Sequence, residues 1–251
     1  MADTKRLGRQ TPTQSVILPY EKTYGEEAIA LYEKSKRKAQ DWQKLLIYDL
    51  LSYDDEELWV HSKFGYAVPR RNGKNEVITI REMYGLIKGE HILHTAHRTP
   101  TSSSAFSRLY DIMAKAGYKE KEDFIVTRQY GLEKIEMIEG GGLASFRTRT
   151  SKGGLGEGYD LLIIDEAQEY QNDQETTLKY VVSSSPNPQT IFCGTPPTMV
   201  SSGTVFTHMR ENTLAGKASN TGWAEWSVES MADVNDVEAW YETNPSLGTI
   251  L

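Results

Sequence analysis

Apolar positions along this chain gather in short runs separated by polar, glycine-marked and proline-marked stretches. Residues 161–164, Leu-Leu-Ile-Ile, are too few for a helix and too uniformly apolar for a strand with one wet face. They predict a strand covered on both sides. The same pattern predicts strands at 91–96 and 189–193, and either two strands at 58–61 and 65–68 or one strand interrupted at Lys63. Antiparallel strands are expected at 123–127 and 134–138, then a Gly140-Gly141-Gly142 turn and a strand at 143–148, with a late strand at 223–228. Helical spacing predicts a surface helix at 26–40, with acids first and bases last, and a helix at 42–51 capped by Asp41 and striped with Trp42, Leu45, Leu46 and Leu50. Further helices are expected at 75–87, broken at Gly85 and ended by Gly89, and at 100–115 behind a Thr99 cap. Short ones follow at 173–182, 205–211 and 236–243. Strands alternating with helices predict an α/β fold with a central, mostly parallel sheet flanked by helices. Residues 1–23, polar and holding Pro12 and Pro19, are expected to form an extended arm before a domain at 24–243, and 244–251 to leave that domain through a turn.

Charge narrows the function. The formal net charge of −7 argues against a general electrostatic nucleic-acid binder, so such contacts have to be local. A single cysteine, Cys193, excludes an internal disulfide and a Cys-rich zinc site. His91, His94 and His97 have no Cys or acid at ligand spacing and read as ordinary strand and loop residues. No apolar run approaches the roughly 18 residues of a membrane span, and the cytoplasm is the default expectation.

Two stretches carry chemistry. The apolar run at 161–164 breaks into Asp165-Glu166, at the strand end where open α/β sheets bind ligands. One carboxylate there suits Mg²⁺ and the next suits orienting a water; the competing reading is an acidic helix cap. The second stretch is the basic loop Pro69-Arg70-Arg71-Asn72-Gly73-Lys74-Asn75-Glu76, between an expected strand and an expected helix. Strand, Gly-Lys loop and helix together cradle phosphates: backbone N–H groups and the helix N-terminus face the anion while the lysine reaches the outer phosphates. The pattern is degenerate, with Val68 for the usual first glycine and Asn75 for the usual Ser/Thr. Downstream, Arg147, Arg149 and Lys152 lead into a glycine-rich loop, 153–158, that lacks a following helix and reads as mobile. After the 189–193 strand, two prolines hold Thr195 in a rigid loop.

From about residue 42 onward the order of Asp-Trp-Gln at 41–43, Pro-Arg-Arg-Asn-Gly-Lys-Asn, Ile-Ile-Asp-Glu-Ala-Gln-Glu and Cys-Gly-Thr-Pro-Pro-Thr resembles the ATPase part of the large terminase subunit of tailed bacteriophages. The resemblance implies a helicase-like P-loop NTPase of the ASCE class, with ATP and Mg²⁺ as substrate and cofactor. It implies that Gln43 contacts the adenine, and that Lys74 with the Asn72–Gly73 backbone holds the phosphates. Arg70 and Arg71 would sense the γ-phosphate, Asp165 would hold Mg²⁺ beside Asn75, and Glu166 would activate the attacking water. Thr195 matches a coupling motif, and Arg149, with Arg147 as the other choice, would complete a neighbour's site in a homo-oligomeric ring. Double-stranded DNA, weakly bound by the monomer, a portal protein and a small terminase subunit are the implied partners, in the cytoplasm of the bacterial host. A complete large terminase follows its ATPase with a nuclease domain, and Asn244-Pro245-Ser246-Leu247-Gly248 resembles the approach to it, so 244–251 reads as the start of a linker to an absent nuclease and the chain is expected to hydrolyse ATP without cutting DNA. Two alternatives stand beside this reading: a non-catalytic assembly module or prophage remnant that binds portal or small terminase, and a stand-alone helicase-like NTPase.

Overall fold

A computed structural model describes residues 6–149, 158–198, 201–228 and 235–249. The strands are β1 (Gln14–Val16), β2 (Lys22–Thr23), β3 (Ser52–Tyr53), β4 (Lys63–Ala67), β5 (His91–Ala96), β6 (Phe124–Thr127), β7 (Lys134–Met137), β8 (Leu143–Thr148), β9 (Leu161–Asp165), β10 (Gln189–Gly194) and β11 (Thr221–Glu225). The helices are α1 (Gly25–Glu33), α2 (Asp41–Leu50), α3 (Lys74–Ile87), α4 (Thr99–Lys115), α5 (Asn172–Leu178), α6 (Thr204–Leu214) and α7 (Val237–Thr243). Among the described residues, nine strands form one sheet in the order β1-β11-β4-β10-β9-β5-β8-β7-β6. The run from β11 to β8 is parallel, while β1 at one edge and β7 and β6 at the other are antiparallel. The expected α/β architecture, a mostly parallel sheet between helices, is therefore present.

The acidic strand shows why. Leu161 and Ile163 enter the larger core, beneath α1 to α4, while Leu162 and Ile164 enter the smaller one, with residues of α5 and α6. All four are essentially inaccessible, each stabilising the fold by roughly 1.5–3 kcal/mol through burial. One strand, β10, separates β4, which leads into the Gly73–Lys74 loop, from β9, in register Cys193 to Asp165 and Cys193 to Tyr66. That insertion brings the ends of all three strands to one edge, where the loop and the acids meet.

Several elements differ from expectation for identifiable reasons. Residues 58–61 contribute only an isolated bridge, Tyr53 to Trp59, because the inner sheet takes Lys63–Ala67 instead. Helix α3 runs unbroken through Gly85. A Cβ there would lie 1.9 Å from Glu90 Oε2 and 2.7 Å from Arg81 Nη1, so this glycine makes room for the Arg81–Glu90 ion pair. Helix α2 begins at Asp41, with Gln40 rather than Asp41 in the capping position, because the Gln43 side-chain oxygen accepts from Gln40 N at 2.8 Å. The polar arm is drawn onto the domain: Gln14–Val16 pairs with β11, Lys22–Thr23 with β3, and Gly8 N donates to Leu247 O.

Candidate functional site

The Gly73–Lys74 loop departs from ordinary backbone at two positions. Arg71 (φ +65°) and Gly73 (φ +83°) are left-handed on either side of Asn72, just ahead of α3. Glycine takes that conformation freely; Arg71 does so at a cost of about 1–2 kcal/mol. The turn is braced from beneath by Tyr66, whose hydroxyl donates to Lys74 O at 2.9 Å, and from the side by Gln43, whose amide donates to Gly73 O at 3.1 Å. A cleft of about 930 Å³ opens over it, lined by Gln43, Arg70, Arg71, Gly73, Lys74 and Asn75. Six of the residues selected from sequence thus share one cavity. Asn72 lies just beneath, buried.

Lys74 connects the cleft to the acidic strand. Its ammonium donates to Asp165 Oδ1 at 2.7 Å and to Asn75 Oδ1 at 2.8 Å, bridging the two oxygens selected as metal ligands. Asp165 Oδ1 also accepts from Glu166 N at 2.8 Å and Cys193 Sγ at 3.1 Å, but the buried Oδ2 has no hydrogen-bond partner. Burial alone would push the Asp165 pKa up; the charges of Lys74 and His94 outweigh it and hold this carboxyl well below the usual range. Burial likewise opposes charge on Lys74, while the Asp165 carboxylate raises its pKa, keeping it ammonium.

Glu166 is left-handed (φ +54°, ψ +48°) and opens a short 3-10 turn, Ala167–Glu169, without a side-chain cap. The pair is therefore a strand end and a strained turn, not an acidic helix cap. Arg149 holds that turn: its guanidinium donates to Asp165 O at 2.6 Å and to Glu166 O at 3.3 Å and packs over the Tyr170 ring at 5.5 Å. It is directed at its own chain, buried behind the acids rather than displayed in the cleft. Arg147 points elsewhere, donating to Glu133 O and Phe146 O. Most of the glycine-rich loop at 153–158, with Lys152, lies outside the described residues.

Three contributors were not picked out by the sequence. Gln168 links the acidic turn to the Thr195 loop by accepting from Thr195 N at 3.1 Å. His94, read as an ordinary strand residue, lies behind the acids, with Nε2 3.9 Å from Asp165 Oδ2 and Nδ1 2.6 Å from Glu82 Oε1. Burial works against its charge, but Glu82 and Asp165 together raise its pKa above the ordinary value. Glu76, in the first turn of α3, gathers Tyr32 OH (2.5 Å), Arg108 (2.6 Å) and Arg37 (3.1 Å) along the cleft wall. Gln168 stands inside the acidic motif, but no motif announced His94 or the partners of Glu76, because β5, α1, the segment after α1 and α4 bring them from distant sequence.

No protein-family model and no curated protein sequence matches the chain. Among solved structures, the large terminase of bacteriophage HK97 superposes with a TM-score of 0.75 at 18% identity, covering 91% of this chain and 49% of its own. This chain has the fold of a phage large terminase. It spans about half the length of the HK97 terminase. The large terminase ATPase domain of Thermus phage P74-26 matches with a TM-score of 0.52 at 15% identity, over 71% of each chain. The yeast DEAD-box splicing factor Prp28 matches equally well by TM-score, 0.52, at 14% identity over 87% of this chain and 54% of its own. The fold is thus shared with a DEAD-box splicing factor as well. No helix among the described residues is long and apolar enough to cross a membrane.

Proposed function

We propose that this chain is the ATP-hydrolysing motor part of a DNA-packaging terminase. The observation that carries the reading is Lys74, whose ammonium joins a phosphate-cradling turn to a buried, ionised aspartate at the floor of a nucleotide-sized cleft. The residues fit a divalent cation. Asp165 and Asn75 offer hard oxygen donors, and Asp165 Oδ2 is a buried acceptor with no partner. Bound there, the cation would neutralise charge on the β- and γ-phosphates.

The protein's own steps follow. An arriving triphosphate draws the Lys74 ammonium from Asp165 and Asn75 onto its outer phosphates and frees both oxygens. Backbone N–H groups at Gly73 and Lys74 hold the phosphates at the α3 N-terminus. Exposed Arg70 and Arg71 close over the γ-phosphate, and Gln43, already fixed to Gly73, keeps unused amide capacity for the adenine. Glu166, presented by its strained turn, accepts a proton from the attacking water. Gln168 then relays a shift of that turn to the Thr195 loop, the route by which hydrolysis would reach DNA.

Double-stranded DNA, a portal protein and a small terminase subunit are the proposed partners, in a homo-oligomeric ring working in the cytoplasm of the bacterial host. The Prp28 likeness favours a stand-alone helicase-like NTPase as the second reading, but the HK97 terminase covers more of the chain at a higher TM-score. Steady-state hydrolysis of Mg-ATP, measured for the parent and for Glu166→Gln over a range of protein concentrations, tests the proposal. Activity that rises faster than linearly with concentration and is lost in the variant is expected. A parent that binds Mg-ATP but never turns it over, with DNA and portal present, would leave a non-catalytic assembly module instead.

A further inference from the structure

The phosphate loop is tied to a segment no catalytic motif includes. Asn72 Nδ2 donates to Asn244 Oδ1 at 2.9 Å and to Pro69 O at 3.1 Å, with Arg70 O at 3.4 Å. Asn72 Oδ1 accepts from Ser246 N at 3.0 Å. Ser246 Oγ lies 2.7 Å from Asn72 O and 2.9 Å from Gln40 Oε1, the residue that precedes α2. Asn72 and Ser246 are both buried, 3% and 7% exposed, so these bonds are shielded from water.

The far side of the tie is itself anchored. Asn244 N and Nδ2 both donate to Trp240 O, within α7, and Leu247 N closes a turn onto Asn244 O. Gln10 Nε2 donates to Pro245 O and Gly8 N to Leu247 O, so the N-terminal arm clamps the same turn from outside. Thr249, three residues on, reaches the wall of the nucleotide cleft. Asn72 is the one residue between two left-handed positions, Arg71 and Gly73. A loop in that unusual conformation needs something outside itself to hold it.

We propose that Asn244 and Ser246 are positioning residues of the phosphate loop, which act through Asn72 to hold its backbone in the shape that receives the nucleotide's phosphates. The inference rests on the nucleotide-site reading above. It also makes the turn after α7 responsive to the nucleotide, since any rearrangement of Asn72 on phosphate binding pulls on 244–247 and the arm above it.

Mg-ADP affinity by titration calorimetry, and KM and kcat for Mg-ATP, are compared in the parent, Ser246→Ala, Ser246→Thr and Asn244→Ala, with thermal melting of each. Loss of one such tie is expected to weaken Mg-ADP binding and raise KM by about fivefold, with kcat within about twofold, because the acids that perform the chemistry are untouched. Ser246→Thr, which keeps the hydroxyl, recovers the parent values. Asn244→Ala removes only a partly exposed side chain at a helix end and remains informative should Ser246→Ala fold poorly. Parent-like affinity and KM in both alanine variants, or a fall in kcat alone in proportion to lost folded protein, would overturn the proposal. A parent that binds neither Mg-ADP nor Mg-ATP would instead overturn the nucleotide reading itself, and this inference with it.

Discussion

Lys74 and Asp165 form a buried ion pair whose strength is open to a direct test. The ammonium lies 2.7 Å from a carboxylate that is 1% exposed, while its own side chain is 17% exposed at the cleft. Two unit charges about 4 Å apart attract by ~4 kcal/mol at an effective dielectric of about 20, and desolvation offsets much of that. Removing one partner exposes the asymmetry. In Lys74→Met the carboxylate keeps only Glu166 N and Cys193 as donors, with His94 at 3.9 Å, and the expected destabilisation is about 3 kcal/mol. In a domain of this size that lowers the melting temperature by roughly 6–12 °C. Asp165→Asn costs less, about 1–2 kcal/mol, because the Lys74 ammonium can turn out into the cleft. The double variant buries neither charge, so it should be more stable than the sum of the singles by about 2 kcal/mol, or roughly 4–8 °C. Thermal melting of the four proteins without nucleotide closes the cycle. Additivity within about 0.5 kcal/mol would refute the pairing and, with it, the idea that an arriving phosphate competes with Asp165 for this lysine.

Two further outcomes are expected. Arg149→Ala should abolish hydrolysis, since it strips the guanidinium from Asp165 O and Glu166 O, and mixing it with Glu166→Gln should restore nothing, because Arg149 serves the acids of its own chain. An arginine completing a neighbour's site would instead regain activity at those interfaces where an intact Glu166 meets an intact Arg149, and recovered turnover in the mixture would establish that role. Asp49, buried and bonded to the Tyr20 hydroxyl, has its pKa pushed up to about 6 by burial, which that hydrogen bond partly offsets. Its folded-state pKa lies above the unfolded value of about 3.9, so its contribution to stability is full below about pH 4 and is lost as pH rises through about 6. Asp49→Asn removes that slope and should be more stable than the parent at pH 8 by about 1–3 kcal/mol in urea denaturation; a difference between the two proteins that does not change from pH 4 to pH 8 would refute it.

What was legible in the sequence was what local chemistry dictates. Four consecutive aliphatics could only be a strand buried on both faces, and Leu161 to Ile164 do divide between two cores. Gly73 before Lys74 announced a tight loop between strand and helix; the structure has that loop and adds the left-handed conformation of Gly73, at φ +83°. Where a residue type has two uses, the sequence could not choose between them. Gly85 looked like a helix break and is a gap for Glu90 against Arg81; His94 looked like one of three scattered strand histidines and is the one that faces Asp165. These choices are made by topology. Placing β10 between β4 and β9 sets Cys193 against both Tyr66 and Asp165, and placing β5 on the other side of β9 carries His94 up behind the acid.

The same dependence explains why the fold is recognisable in structure at 18% identity while the site is only partly recognisable in sequence. The loop and the acids need particular side chains at particular steps, and these can be read one motif at a time. Their supports need only a donor or an acceptor at the right point in space: Ser246 and Asn244 beneath Asn72, Gln168 beneath Thr195, Arg149 behind Glu166. Any element that passes that point can supply one. Residue type and spacing therefore mark candidate groups such as Lys74, Asp165 and Arg149, whereas what each of them holds, or is held by, becomes visible only once the strands are ordered.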